Sequence, residues 1–369
     1  MAVTFSARDY SLVGRDSKLA EENGLASAHW YSCAIPRKEL KALMQRKDGP
    51  AIRDTVLWLT LLAISGWLGW HYWGTWAAVP CFFIYGVLYG SASDSRWHEC
   101  GHGTAFRTRW MNDAVYSLAR FMIFREPTVW RWSHTRHHTD TIIVGRDPEI
   151  GSKRPTDFLN IALTFLVIPQ TWRTLQGMAL HCVGKLGAEE ATFIPEIERW
   201  KVYLVARIYT AIILAVLATC IVYQTILPAM FIFLPTLYGG WFMRFVDYAQ
   251  HAGLAEDVLD HRLNARTVYM NPVFRFICWN MNYHLEHHIF PMVPYHALPK
   301  LHEACKADCP PPYTSCWDAY REIIPAWIKQ RKDPNYYVRR QLPDGKSAVP
   351  YNHSTVIVDA DRMRHQEPK

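Results

Sequence analysis

Residues 55–90 read TVLWLTLLAISGWLGWHYWGTWAAVPCFFIYGVLYG, with no Asp, Glu, Lys or Arg and one pause, Gly74-Thr75. The pause divides two apolar runs, Thr55–Trp73 and Trp76–Ser93. A second pair, Val202–Tyr223 and Ile226–Val246, is divided only by Gln224-Thr225. Each run has about 18–22 residues, the length that crosses the roughly 30 Å of hydrocarbon in a bilayer. The spacing predicts an all-α integral membrane fold with four transmembrane helices in two hairpins, at about 55–73, 76–93, 202–223 and 226–246. Both hairpin tips lack Lys and Arg. Arg37, Lys38, Lys41, Arg46, Lys47 and Arg53 precede the first run, and Arg96, Arg107 and Arg109 follow the second. Positive charge collects on the cytoplasmic side, so the polar bulk of the chain is expected there. Trp58, Trp70, Tyr72, Trp73, Trp76 and Tyr223 near the run ends fit an interfacial aromatic belt.

Composition agrees with a membrane segment under a large polar body. Of 369 residues, 50% are hydrophobic and 14% aromatic, which excludes disordered, collagen-like and low-complexity classes. A mean hydropathy of −0.10 excludes a chain mostly buried in lipid. The formal charge is +7, and no nucleic-acid partner is expected. Nine Cys are scattered without CxxC pairs and read as reduced thiols. The opening MAVTFSARDY lacks the basic and apolar stretches of a cleavable signal peptide. The expected organisation is a cytosolic N-terminal segment (1–50), a membrane domain (51–330) whose cytosolic cap comprises 94–201 and 247–330, and a loose polar tail (331–369). Phe158–Trp172, interrupted by Pro169, reads as an interfacial helix, and 184–199 as a polar connector.

Three histidine clusters carry the chemistry: His98-Glu-Cys-Gly-His102, His134-Thr-Arg-His137-His138 and His284-Leu-Glu-His287-His288. On a helix, residues four apart share a face, so each cluster presents two imidazoles together with a neighbouring third in the HxxHH clusters. Neutral imidazole binds iron, zinc and copper. An internal repeat adds a ninth candidate. Asp94-x-x-x-His98 follows the first hairpin and His134 comes 36 residues later; Asp247-x-x-x-His251 follows the second and His284 comes 33 residues later. Asp94 and Asp247 are candidates for orienting the imidazoles or holding metal-bound water. Nine imidazoles exceed one coordination sphere, so two metals are implied, and an all-nitrogen, redox-capable set suits iron. A two-iron site activates dioxygen against an unactivated C–H bond, and its place at a membrane points to an acyl or lipid-like substrate.

These residues resemble the integral-membrane fatty acid desaturase superfamily and its related hydroxylases over roughly residues 36–305. The most specific stretch is Asn282-Tyr-His-Leu-Glu-His-His-Ile-Phe-Pro291, continuing through Pro294, Leu298-Pro299 and Leu301-His302. Trp132-Ser-His-Thr-Arg-His-His138 and Asp147-Pro-Glu149 match the second box and its follow-on, and Ile35-Pro-Arg-Lys-Glu-Leu40 is similar to bacterial members. The resemblance implies four transmembrane helices under a cytosolic helical cap holding two iron ions, with His98, His102, His134, His137, His138, His251, His284, His287 and His288 as ligands and dioxygen as co-substrate. It also implies a separate electron donor, a ferredoxin or small cytochrome, since no haem-binding His-Pro-Gly-Gly segment is present. The three-residue spacing in the first box is that of acyl-lipid rather than acyl-CoA members. A bacterial inner membrane is the expected location, since the end His365-Gln-Glu-Pro-Lys369 is no lumenal retention signal.

Other readings compete. A hydroxylase or monooxygenase of a lipid or small molecule would use the same scaffold. His98-Glu99-x-x-His102 alone is the HExxH of zinc proteases, but that reading leaves the remaining clustered histidines without a role. A metal carrier would place ligands within the spans, where only His71 occurs. Trp97, Trp130, Trp132 and Trp279 flank the boxes as candidate walls of the substrate path. Glu99, Asp140 and Glu286 are candidates for orienting imidazoles, and Arg131 and Arg136 for meeting an anionic substrate or redox partner.

Overall fold

The computed structural model describes residues 8–343, and within them the regular structure is helical, with only two isolated β-bridges. Two helices are long and apolar enough to cross a membrane: Asp48–His71, and Arg199–Val222 with the turn before it. Only 28% and 17% of their apolar windows are buried. The rest, including Val56, Ile64 and Trp67 on one helix and Leu214, Ile221 and Val222 on the other, faces outward. A soluble core helix would bury that surface.

The second run differs from its expected form. It starts at Ala78, widens into a π-turn at Val87–Ser91, and continues as Ala92–Gly101 without a break. The apolar pattern ends near Gly90, yet nothing there stops a helix, so the membrane helix delivers the first histidine box directly. The π-turn disturbs the backbone ladder, and Trp58 Nε1 donates to the Leu88 carbonyl at 2.7 Å. The fourth run is broken into Leu227–Ile232, Pro235–Gly239 and Trp241–His251. Pro235 cannot donate a backbone hydrogen bond, and carbonyls are freed at each break. Hydroxyls answer them. Tyr238 donates to Met230 O (2.8 Å), Tyr85 to Phe231 O (2.9 Å), Tyr89 to Ile232 O (3.0 Å) and Ser91 to Gly239 O (2.6 Å). Apolar surroundings supply no water, so these donors are what make the break tolerable.

Glycines let the second and fourth runs touch backbone to backbone. A Cβ on Gly239 would sit 1.9 Å from the Gly86 carbonyl, and one on Gly90 would sit 2.9 Å from Gly240 N. Close approach through small residues is how membrane helices gain packing where the hydrophobic effect offers little.

The cap is assembled around the ends of these helices. Helices Arg109–Met122 and Pro127–Thr139 follow the first box, the latter opened by Pro127 and by Glu126 accepting from Val129 N at 2.6 Å. The fifth apolar stretch forms Phe158–Phe165 and Ile168–Cys182, split at Val167, which takes a left-handed conformation before Pro169. Leu159, Leu166, Ile168 and Trp172 on it are exposed, as an interfacial pair requires. The N-terminal segment is docked on the cap: Tyr10 donates to Glu256 at 2.8 Å, and Trp30 stacks on His261 at 4.2 Å. The tail, expected to be loose from residue 331, is still packed at its start. Helix Cys316–Lys332 covers that position, Val338 N bonds Gly253 O at 2.9 Å, and Leu342 is buried. Residues 344–369 lie outside the described residues. All nine cysteines are free thiols.

Arg96, counted in the sequence as a topology-setting charge, is fully buried instead. Its guanidinium donates to the Ala92, Phe276 and Ile277 carbonyls and lies over Trp58 and Trp279. It joins membrane helix and cap, because a buried cation needs hydrogen-bond acceptors and ring faces around it.

Gly239→Val should destabilise the detergent-solubilised protein by about 1–3 kcal/mol or more, because it overpacks a backbone contact. Gly49→Ala, with nothing within 4 Å of its Cβ position, should be neutral or stabilising by under about 1 kcal/mol. Thermal unfolding of the two variants checks the contrast, and equal effects would refute the glycine seam.

Candidate metal centre

The three boxes and His251 come together. Their ring nitrogens form two groups, each with its atoms within 4.8 Å of one another: His98, His102, His134, His138 and His287 in one, and His137, His251, His284 and His288 in the other. The boxes interleave. In each HxxHH helix the residues four apart stay together, while the middle histidine points to the other group. His134 and His138 thus part from His137, and His284 and His288 part from His287. This division follows from the helical period alone.

Within each group the Nε2 atoms face one another. His98 and His287 are 2.7 Å apart, His102 and His134 3.1 Å, His134 and His138 3.1 Å, and His138 and His287 3.2 Å. In the other group His251 and His284 are 2.8 Å apart, and His284 and His288 2.9 Å. A metal bonded at about 2.0–2.1 Å to imidazole nitrogens at right angles would hold neighbouring donors roughly 3 Å apart.

Several tautomers are fixed from behind. His134 Nδ1 donates to Glu149 (3.1 Å), His137 Nδ1 to Asp147 (2.8 Å), and His251 Nδ1 to the Asn264 carbonyl (2.6 Å). Thr141 gives its proton to the His137 carbonyl and receives His288 Nδ1 at 3.3 Å. A carbonyl can only accept, so His251 carries its proton on Nδ1 and turns a bare lone pair inward at Nε2. His138, His284 and His287 have no hydrogen-bond partner at Nδ1 among the described residues, so what the two groups share is a set of neutral nitrogen donors crowded around two points. The residues present therefore fit a pair of metal ions.

Burial sets the protonation. It pushes nearly all of the nine imidazoles well below their ordinary range, His102 to about 4 and His251 to about 3. They stay neutral and ready to ligate at pH 7. His137 is the exception. Burial opposes its charge, but the adjoining Asp147, helped by Glu149, outweighs burial and lifts it to about 9.

The orienting residues differ from those proposed on sequence grounds. Asp94 and Asp247 touch no ligand imidazole; both grip Arg244, and Asp94 also accepts from Trp97 Nε1. Glu286 faces away from the metal groups and accepts from His302 Nδ1 (2.6 Å) and Thr267 (2.5 Å). Asp140 pairs with Arg136 and Arg146. Of the five, Glu99 alone faces a candidate ligand, with its carboxylate 3.7 Å from His287 Nδ1 and burial lifting it to about 8. Fully enclosed behind the imidazoles, it is badly placed as the base of a zinc protease. The residues that do hold ligands, Asp147, Glu149, Thr141 and Asn264, carried a partial signal: Asp147-Pro-Glu149 stands just downstream of the second box.

Trp97 and Trp130 border the cavity in front of the histidines. Trp132 packs instead against Ile194 and Val202, and Trp279 stacks on Tyr295 at 4.3 Å. Arg131 pairs with Asp113, and Arg136 bonds Thr192, so neither faces the centre.

Residues 74–320 match the sequence model of a family described as fatty acid desaturase. A cyanobacterial sn-1 oleoyl-lipid 12-desaturase from Anabaena variabilis is 23% identical over 66% of this chain and 57% of its own length. An omega-6 fatty acid desaturase of the endoplasmic reticulum from Glycine max is 24% identical over 65% of this chain and 71% of its own. The chloroplastic omega-6 enzyme of Arabidopsis thaliana is 24% identical over 78% and 65%, respectively. The chain thus spans just over half the length of the cyanobacterial relative.

Two predictions follow from the hydrogen bonds and burial. Asp147→Asn should weaken metal binding by about 10–100-fold, whereas Glu286→Gln should leave metal content unchanged. Elemental analysis after dialysis against a chelator checks this, and equal loss in both would contradict the assignment of partners. Second, the buried imidazoles other than His137 bind fewer protons folded than unfolded. The metal-free chain should lose stability as pH falls below the ordinary histidine value of 6.5 towards about 4, where His102 titrates. His102→Asn should flatten part of that slope in thermal melts, and an unchanged slope would contradict the burial argument.

Proposed function

Because the chain belongs to the fatty acid desaturase family, we propose that it is a membrane-bound, oxygen-dependent oxidoreductase that introduces a double bond into a fatty acyl chain. The observation that carries the reading is the convergence of nine imidazoles into two groups, with Nε2 atoms facing one another. In this reading His98, His102, His134, His138 and His287 hold one iron ion, and His137, His251, His284 and His288 hold the other. When bound, the two irons supply the reduction of dioxygen to water and the removal of hydrogen from a C–H bond.

The chain's own residues do the rest. Asp147, Glu149, Asn264 and the Thr141 hydroxyl hold protons at Nδ1 of their partners, which keeps each Nε2 aimed inward. Such preorganisation means the ligands need not reorient during turnover. The enclosing cap keeps bulk water from the reacting carbon. Trp97 and Trp130 wall the cavity and orient what enters it. We further propose that all four apolar runs lie in the bilayer with the cap on the cytoplasmic face. The two uninterrupted helices, the lipid-ready outer surface and the basic residues flanking the first run support this. Electrons would come from a separate ferredoxin or small cytochrome with its reductase.

Mass spectrometry of lipids and metabolites from cells expressing the chain with a ferredoxin system tests the reaction. A new species lighter than its precursor by two hydrogens is expected. One heavier by a single oxygen would replace desaturation with hydroxylation. His137→Ala should abolish the product and lower bound iron, and full activity at native iron content would overturn the ligand assignment.

A further inference from the structure

A cavity of about 220 Å³ lies in front of both histidine groups, bordered by His98, His134, His137, His251 and His284. Its wall is mixed, with Ile142, Ile150, Leu254 and Met281 among its apolar members. Asp94, Arg125, Arg244 and Asp247 border it at one side, and Arg154 and Glu256 also face it. A smaller, largely apolar cavity of about 30 Å³ adjoins it, sharing Asp94, Arg125, Gln170 and Arg244 and reaching Ile213, Phe233 and Leu237 on the membrane side.

Arg125 is the least satisfied of these groups. It is buried at 8% exposure. Its nearest carboxylate, Asp94, is 3.8 Å away, beyond hydrogen-bond distance, because Asp94 is taken up by Arg244 and by Trp97 Nε1. Its guanidinium otherwise lies 4.2 Å over the Trp130 ring and donates no hydrogen bond among the described residues. Arg173 borders the same cavity with no carboxylate partner among them. A buried guanidinium with spare donors beside a cavity is matched by a carboxylate, which it can bind through two parallel hydrogen bonds.

We propose that the substrate is a free carboxylic acid rather than an esterified acyl lipid, with its carboxylate bound by Arg125 and the carbons nearest the carboxylate lying along the wall to the metal centre. This rests on the reading of the histidines as an iron centre. Aromatic faces link the guanidinium to the centre: Trp130 under Arg125 meets Trp97 at 6.0 Å, and Trp97 meets His134 at 5.2 Å. Two sources share this chemistry, a short water-soluble acid and a long-chain acid partitioned from the membrane.

The test is equilibrium binding to the full-length, iron-loaded protein without reductant, read by tryptophan fluorescence, using octanoate, stearate and their methyl esters. Each sample's iron content is measured alongside. At least one acid should bind at least about tenfold more tightly than its ester, the weight of one charge-assisted pair. Arg125→Gln should erase that preference at unchanged iron content, and Arg125→Lys should keep part of it. Tighter octanoate binding assigns the short-acid source, and tighter stearate binding the membrane source. Esters binding as well as both acids, or a preference that survives Arg125→Gln, would overturn the proposal. A wild-type protein that binds acid but takes up no iron would count against the iron centre alone.

Discussion

The structure depends on one constraint: imidazole Nε2 atoms brought within about 3 Å of one another in a closed interior. Such an arrangement is unfavourable on its own terms. Each imidazole has left water, and burial keeps nearly all of them uncharged. A cation between the nitrogens would engage all of these donors at once. The Nδ1 partners behind the ring make the arrangement specific, since Asp147, Glu149 and the Asn264 carbonyl leave their histidines one tautomer each. Metal binding would therefore be coupled to folding of the cap.

The scaffold meets this demand by running a membrane helix straight into the cap. One continuous helix passes from Ala78 through a π-turn to the first box, and the broken fourth run ends in His251. The two segments cross at Gly86 and Gly239 with their backbones touching. Breaks in the fourth run re-aim its last segment, and tyrosine hydroxyls absorb the freed carbonyls. The His98 and His251 elements are thereby tied to each other before the second and third boxes close over them. Arg96 adds a further tie, since its guanidinium spans Ala92 on the membrane helix and Phe276 and Ile277 in the cap.

Much of this is legible in the sequence, for physical reasons. Helical period makes HxxxH and HxxHH readable as shared faces, and the repeated Asp-x-x-x-His after each apolar pair exposes His251, which has no box of its own. The partners of the ligands are harder to read, because they are decided in three dimensions. Asp94 and Asp247 sit one turn before a histidine, yet Arg244 draws both away. Glu286 lies inside a box but points to His302. Asp147 lies ten residues beyond its partner His137 and Glu149 fifteen beyond His134, and both return only because the chain turns back after Thr139. Arg96 shows the same limit for topology: a charge next to an apolar run can be an interior strut rather than a surface signal. The breaks in the fourth run were hidden because Pro228 and Pro235 scarcely lower its hydrophobicity.

One side of the cavity beside the histidines is charged, contributed by Arg125, Arg244, Asp94 and Asp247. The centre itself is tested most directly by anomalous diffraction at the iron absorption edge from crystals of the iron-loaded protein. The account predicts two separate iron peaks, one enclosed by His98, His102, His134, His138 and His287 and the other by His137, His251, His284 and His288. A single peak, or a metal bound only by His98 and His102, would contradict it.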